Sequence, residues 1–162
     1  PDMIQRLQDE DALPTQLYLS TNAADYESFI KINKPKYDDS WERWNRTLDM
    51  LKDLDTRTVL RITLIRNYND QKEMIPAFAD MFRKASPHFI EIKSYMHIGR
   101  STNRLEHENM LEMSEVKKFS EEIAKQSKIF SIMDESLVSR ISILQNKERF
   151  IDRYISAYAN TN

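Results

Sequence analysis

Lys93 lies in the segment Phe89-Ile90-Glu91-Ile92-Lys93-Ser94-Tyr95-Met96, where apolar and polar residues alternate. A lysine desolvated on such a strand can condense with a carbonyl compound as a Schiff base. The competing arrangement is an ion pair with Glu91 or with a carboxylate on a neighbouring strand. Tyr95 and His97 follow closely, and His97 stands just after the strand, where barrel enzymes build their sites from strand-to-helix loops. There an imidazole serves as acid, base or hydrogen-bond donor. His88 and His107 lack that placement and read as surface or loop-anchoring residues. With no HxH, HExxH or Cys-His spacing, the histidines make no metal site by motif. Arg100 and Arg104 enclose Ser101-Thr102-Asn103, a basic loop rich in hydroxyls and amides that suits phosphates or a splayed RNA base. A solvated charged loop is the plainer reading of the same residues.

Composition narrows what this chemistry can be. Lys+Arg 24 against Asp+Glu 26 leaves a formal net charge of -2, so any contact with RNA must come from a local patch. A single glycine excludes Gly-rich phosphate loops, and the absence of cysteine excludes thiolate nucleophiles, disulfides and iron–sulfur ligation by these residues. The 162 residues suit one packed domain, 1–162. Apolar runs fall far short of the roughly 20 residues a membrane-spanning helix needs, and no signal-peptide pattern opens the chain. The expectation is a soluble cytoplasmic protein without a membrane partner.

These residues need elements to position them. Strand-period alternation marks 15–20, 58–65 and 89–96, with one or two short strands over 129–133 and 140–144. Between them, Trp41, Trp44, Leu48 and Leu51 mark a helix over 39–51, and Ile75, Phe78, Met81 and Phe82 mark another with Pro76 in its first turns. Val116, Phe119 and Ile123 mark a third, opened by Ser114 and Glu115, and a closing helix is expected from 147 to about 159. The Trp residues and the Met110, Leu111, Met113 cluster read as packing.

Strands separated by helices argue for an α/β fold with mostly parallel strands. Within the strands, Gln16, Tyr18 and Ser20, then Arg61 and Thr63, then Glu91, Lys93 and Tyr95, then Arg140 and Ser142 oppose rows of Leu and Ile. A doubly wound sheet would carry continuous apolar runs instead. The pattern predicts part of a TIM-like (β/α) barrel whose polar rows face a shared lumen. Burying Arg61, Glu91 and Lys93 unpaired would cost several kcal/mol each, so such a lumen requires a polar occupant. A sheet with one face in water is the alternative.

The run Tyr95-Met96-His97-Ile98-Gly99-Arg100-Ser101, then Asn103-Arg104-Leu105 and Asn109-Met110, resembles a loop of the radical-SAM enzymes that make 4-demethylwyosine in tRNA. Blocks in the same order extend the resemblance over nearly the whole chain: Pro14-Thr15-Gln16-Leu17-Tyr18-Leu19-Ser20, Arg57-Thr58-Val59 with Arg61-Ile62-Thr63-Leu64, Phe89 to Lys93, and Asp134-Glu135-Ser136 with Ser139-Arg140. The resemblance implies the C-terminal part of a radical-SAM-type partial barrel. Its family joins two carbons of pyruvate to N1-methylguanosine in phenylalanine tRNA, a step of wybutosine biosynthesis that uses S-adenosylmethionine and [4Fe–4S] clusters. The family's CxxxCxxC lies upstream of the first block, so a remaining N-terminal barrel portion is an implied partner, and a flavodoxin-like domain with FMN is compatible. Carried over residue by residue, Ser20, Asn22 and Thr63 would contact S-adenosylmethionine. Lys93, Tyr95 and His97 would face substrate or pyruvate, and Arg100, Asn103 and Arg104 would meet tRNA. The chain departs from the family's Ser-Leu-Asp-Ala in Ser20-Thr21-Asn22-Ala23, and it has Lys34 where an arginine often precedes Pro35. A non-catalytic paralogue that binds tRNA or protein, and a cluster-independent Schiff-base lyase, are the alternatives.

Overall fold

The computed structural model describes residues 1–155. A short helix, α1 (Asp2–Asp9), precedes β1 (Gln16–Ser20); α2 (Tyr26–Asn33) and α3 (Ser40–Met50) lead to β2 (Arg57–Leu64), and α4 (Ile75–Ala85) leads to β3 (Phe89–Ser94). A long loop and α5 (Met113–Ser127) then reach the hairpin of β4 (Phe130–Ser136) and β5 (Ile141–Asn146). The strands form one sheet in the order β1-β2-β3-β5-β4.

Local chemistry explains the boundaries that hold the site. The Asp25 carboxylate accepts the Ser28 N–H at 2.9 Å and starts α2. Proline in the first turn of α4 loses no intrahelical hydrogen bond, and Ser86 ends that helix in the left-handed region at φ 43 ahead of Pro87. Glu112 and Glu115 form a reciprocal capping box on α5.

Leu60, Ile62, Leu64, Ile90 and Ile92 point to one face and are fully buried with Phe78, Phe82, Val116 and Ile123 beneath α3, α4 and α5. Removing those side chains from water supplies the main driving force, about 25 cal/mol per Å² of apolar area. The opposite face carries the polar rows: Tyr18 is exposed, Arg61, Thr63 and Lys93 are half-buried, and Glu91 is buried.

The parallel expectation holds for β1, β2 and β3 and fails beyond them. β5 runs antiparallel to both β3 and β4. A two-strand hairpin needs no helical crossover, which is why the alternation of strand and helix ends there. The polar row of β5 also faces the other way from expectation. Register pairs Ser142 with Ile92 and Ile141 with Lys93, so Ser142 and Leu144 enter the helix-covered core while Ile141 and Ile143 join the polar face. Arg140 lies before the strand in the left-handed region at φ 51, and it reaches the Leu111 carbonyl at 3.1 Å instead of a lumen. Residues 147–155 form no helix; Asn146 Oδ1 accepts the N–H groups of Glu148 and Arg149, and Gln145 donates to the Ile151 carbonyl. The rest of the expected closing helix lies outside the described residues.

Candidate functional site

The C-terminal ends of β1, β2 and β3 open into a cleft of about 420 Å³. Asn22 follows β1, and its Oδ1 accepts the Thr63 N–H at 3.2 Å. Asn69, fully buried, donates through Nδ2 to the carbonyls of Asn22 and Thr63, both at 2.9 Å, and accepts the Ile65 N–H at 2.7 Å. Two asparagines thereby fix the exits of adjacent strands through neutral amides.

Lys93 lines the cleft level with Thr63 on the neighbouring strand. The alternative ion pair with Glu91 is not formed. Glu91 instead takes the Arg61 Nε–H at 2.9 Å and the Tyr18 hydroxyl at 3.2 Å, and the Arg61 guanidinium lies 4.7 Å from the centre of the Tyr18 ring. Burial and then the Glu91 carboxylate push the Tyr18 phenol above its ordinary pKa. Among the described residues, no carboxylate lies within ion-pair distance of Lys93. Its ammonium is therefore available to a ligand.

Tyr95 is buried against the cleft, anchored by its N–H to the Leu64 carbonyl at 2.8 Å, and its hydroxyl lies 3.2 Å from His97 Nδ1. His97 does not itself line the cleft; its ring stands edge-on to His107, with ring centroids 6.1 Å apart. Ser101 and Arg104 enter the lining from the loop after β3, whereas Arg100 and Asn103 are exposed outside it. Ser20 is exposed on the polar face, level with Arg61, and is not part of the cleft. The loop keeps its place because Ser94 Oγ accepts the Leu111 N–H at 2.8 Å and Arg66 binds the carbonyls of Glu108 and Met110 at 3.0 Å.

Lys31 and Lys34 at the end of α2, and Tyr68 after β2, also line the cleft. They are absent from the sequence-based set. The cap formed by Asp25 and Ser28 was the available signal for α2. Lys31, Lys34, Lys93 and Arg104 line the cleft and, among the described residues, no Asp or Glu does, in a chain of net charge -2. Such a wall selects anionic groups, phosphate or carboxylate. Among the described residues no cluster of His, Asp and Glu could hold a metal ion.

Residues 84–146 match the family model described as Wyosine base formation. The chain is 37% identical over 148 residues to the S-adenosyl-L-methionine-dependent tRNA 4-demethylwyosine synthase of Pyrococcus abyssi, and 40% identical over 153 residues to that of Methanocaldococcus jannaschii. This chain is homologous to the C-terminal part of the tRNA 4-demethylwyosine synthases. Those alignments take in 91% and 93% of the chain but 43% and 45% of the archaeal synthases, so it spans somewhat less than half their length. A structure described as TYW1 with a lysine-pyruvate adduct bound superposes with a TM-score of 0.78 at 40% identity, over 88% of this chain and 44% of that one. An archaeal TYW1 crystal structure gives 0.70 at 36% identity, over 90% and 45%. The part of the chain that matches the wyosine model contains Lys93, Tyr95, His97 and Arg104; Asn22 and Thr63 precede it.

Proposed function

We propose that residues 1–162 are one domain, the C-terminal portion of a radical-SAM barrel in a tRNA 4-demethylwyosine synthase. There it holds pyruvate and the modified guanosine of phenylalanine tRNA over the ends of its parallel strands. The observation that carries this reading is a half-buried lysine with no carboxylate partner among the described residues, in a cleft whose charged lining residues are all cations, within a chain homologous to those synthases. Lys93 faces pyruvate, whose carboxylate and carbonyl suit an ammonium or a free amine. Tyr95 and His97 form a hydrogen-bonded pair beside it that can hold or pass a proton at the phenolic oxygen. Arg104, with Arg100 and Asn103 on the outer side of the loop, meets the tRNA.

The relatives are named as S-adenosyl-L-methionine-dependent. In the cleft, Asn22 has its Oδ1 engaged and its Nδ2 without a partner among the described residues, and Thr63 offers a hydroxyl, a set that suits the polar edge of that cofactor. Ser20 lies below them on the same face. The cofactor would supply the radical that starts the chemistry. A [4Fe–4S] cluster does not fit this chain, which has no cysteine; its ligands belong to the N-terminal barrel portion. FMN would belong to a further attached domain. Asn22, where the family block has aspartate, still accepts the Thr63 N–H, so the change removes a charge and keeps that link. No described helix is long and apolar enough to cross a membrane, and the cytoplasm is the compartment this role requires.

The test is Lys93→Ala in the complete protein. Conversion of N1-methylguanosine in tRNA should fall at least about 100-fold while S-adenosylmethionine binding persists, the scale of removing one proton-transfer or covalent group. Turnover near the wild-type rate would remove Lys93 from the site. Borohydride reduction in the presence of pyruvate separates a covalent from an ionic role. The second reading, a non-catalytic tRNA-binding paralogue, is favoured only by Asn22, and it holds if the complete protein lacks a CxxxCxxC motif.

A further inference from the structure

The surface beyond α2 alternates aromatic rings and cations in a way that the cleft does not use. Lys34 ends α2 in the left-handed region at φ 46, and it lines both the cleft and a second groove of about 510 Å³. Tyr26, Ile30, Pro35, Tyr37 and, at its far end in the sequence, the exposed Asp38 form the rest of that groove's lining. Tyr26 is 54% and Tyr37 64% exposed, so both rings are open to a partner. Lys36 Nζ lies 5.4 Å from the Tyr37 ring centre, and Lys31 Nζ lies 5.2 Å from that of Tyr68 on the cleft side. Among the described residues, Lys31, Lys34 and Lys36 have no carboxylate within ion-pair distance. Lysines at a helix C-terminus complement its dipole, which accounts for Lys31. It does not account for Lys36, or for two tyrosines left open beside it.

We propose that the path from the cleft, over Lys34, to Tyr26 and Tyr37 is a binding track for single-stranded RNA. The rings take unpaired bases, and Lys31, Lys34 and Lys36 neutralise the phosphodiesters between them. Exposed rim cations suit an extended polyanion, whereas half-buried Lys93 suits a small one, so a single cleft serves both parts of the reaction. The inference rests on tRNA being the substrate, and it adds that the unpaired nucleotides flanking the target run along α2.

The complete protein is titrated with an RNA hairpin carrying an unpaired loop and with a fully paired duplex of equal length. Tyr37→Ala combined with Lys36→Gln should weaken hairpin binding about tenfold or more, within the range for losing one stacked base. Lys34→Gln combined with Lys36→Gln should flatten the dependence of log affinity on log salt by about 0.7 for each lysine. Tyr37→Trp should bind as the wild type does, because stacking is retained. Since Tyr37 is exposed, an unchanged thermal midpoint shows that each variant is folded. Wild-type hairpin binding by Tyr37→Ala with Lys36→Gln, or equal affinity for hairpin and duplex, would overturn the track and leave tRNA as the substrate. A wild-type protein that binds no tRNA would overturn both.

Discussion

Arg66 and Glu115 face each other through two hydrogen bonds of 2.6 Å, which join the exit of β2 to the first turn of α5. Because the same guanidinium holds two carbonyls of the loop between them, this pair positions Ser101 and Arg104 without touching a substrate. The hydrogen bonds from Arg66 hold the Glu115 carboxyl below its ordinary range. The pair's contribution is therefore present above the unfolded carboxylate pKa and is lost as pH falls through the folded one. Both side chains are about a third exposed, at 33% and 36%, so stability should drop by only about 1 kcal/mol in Arg66→Ala. On the proposed role, affinity of the complete protein for tRNA should drop more than stability does. Urea unfolding and an RNA titration on the same variant check the two halves, and equal losses in both would count against a positioning role.

Asn69 makes three hydrogen bonds from a fully buried site, two of them from its amide nitrogen. Asn69→Ala should cost about 2–3 kcal/mol, because the Ile65 N–H and the two carbonyls lose their partner out of reach of water. Asn69→Asp should recover little, since a carboxylate can accept from Ile65 but repels both carbonyls. The urea midpoint reports each.

His88 is 9% exposed, and its Nδ1 accepts the Thr58 N–H at 3.1 Å. Burial, then Arg149, then Arg57 hold its pKa down to about 4. Since the folded value lies below the unfolded one, the neutral ring stabilises the fold in full above pH 6.5, and that contribution fades as pH falls toward 4. The loss should be on the order of 3 kcal/mol. His88→Asn, which keeps an acceptor that does not titrate, should flatten stability across that interval in a series of urea melts.

Ser142 and Ser94 are both fully buried serines on adjacent strands, yet they should respond in opposite ways to alanine. Ser142 Oγ has no hydrogen-bond partner among the described residues, so Ser142→Ala should leave stability unchanged or raise it by about 1 kcal/mol. Ser94 Oγ holds the Leu111 N–H and donates to the Tyr95 carbonyl, so Ser94→Ala should lose about 1–2 kcal/mol and loosen the loop beside Lys93. Thermal melts of the two variants give the comparison directly.

The sequence was legible where burial and periodicity agree. Leu60, Ile62 and Leu64 alternate with Arg61 and Thr63, and Phe78 and Phe82 recur at helical spacing, so β2, β3 and α4 could be read directly. The convergence of Thr63 and Lys93 followed from the parallel strands β2 and β3 that carry them, and Asn22, Tyr95 and Arg104 join them from the segments that leave the C-terminal ends of β1 and β3. α2 stayed hidden because only Phe29 of its eight residues is buried, too few to show a period. The facing of β5 was misjudged because Ser142 and Asn146 share the buried row with Leu144, and polarity alone assigned that row to the other side. The partner of Glu91 stayed open between alternatives because alternation shows which face a side chain takes, not which cation across the sheet reaches it first.

The insertion of β5 between β3 and β4 sets the order in which the sheet can be completed during synthesis. Strands β1, β2 and β3 can pair as they emerge, but the free edge of β3 waits for residue 146. At ordinary translation rates that delay is roughly 3–10 s. During it, the central ladder of the finished protein is an open template for another nascent chain. A ribosome stalled before residue 141 therefore presents an adhesive interior strand, whereas past residue 146 that strand is covered on both sides and the edges left among the described strands are those of β1 and β4.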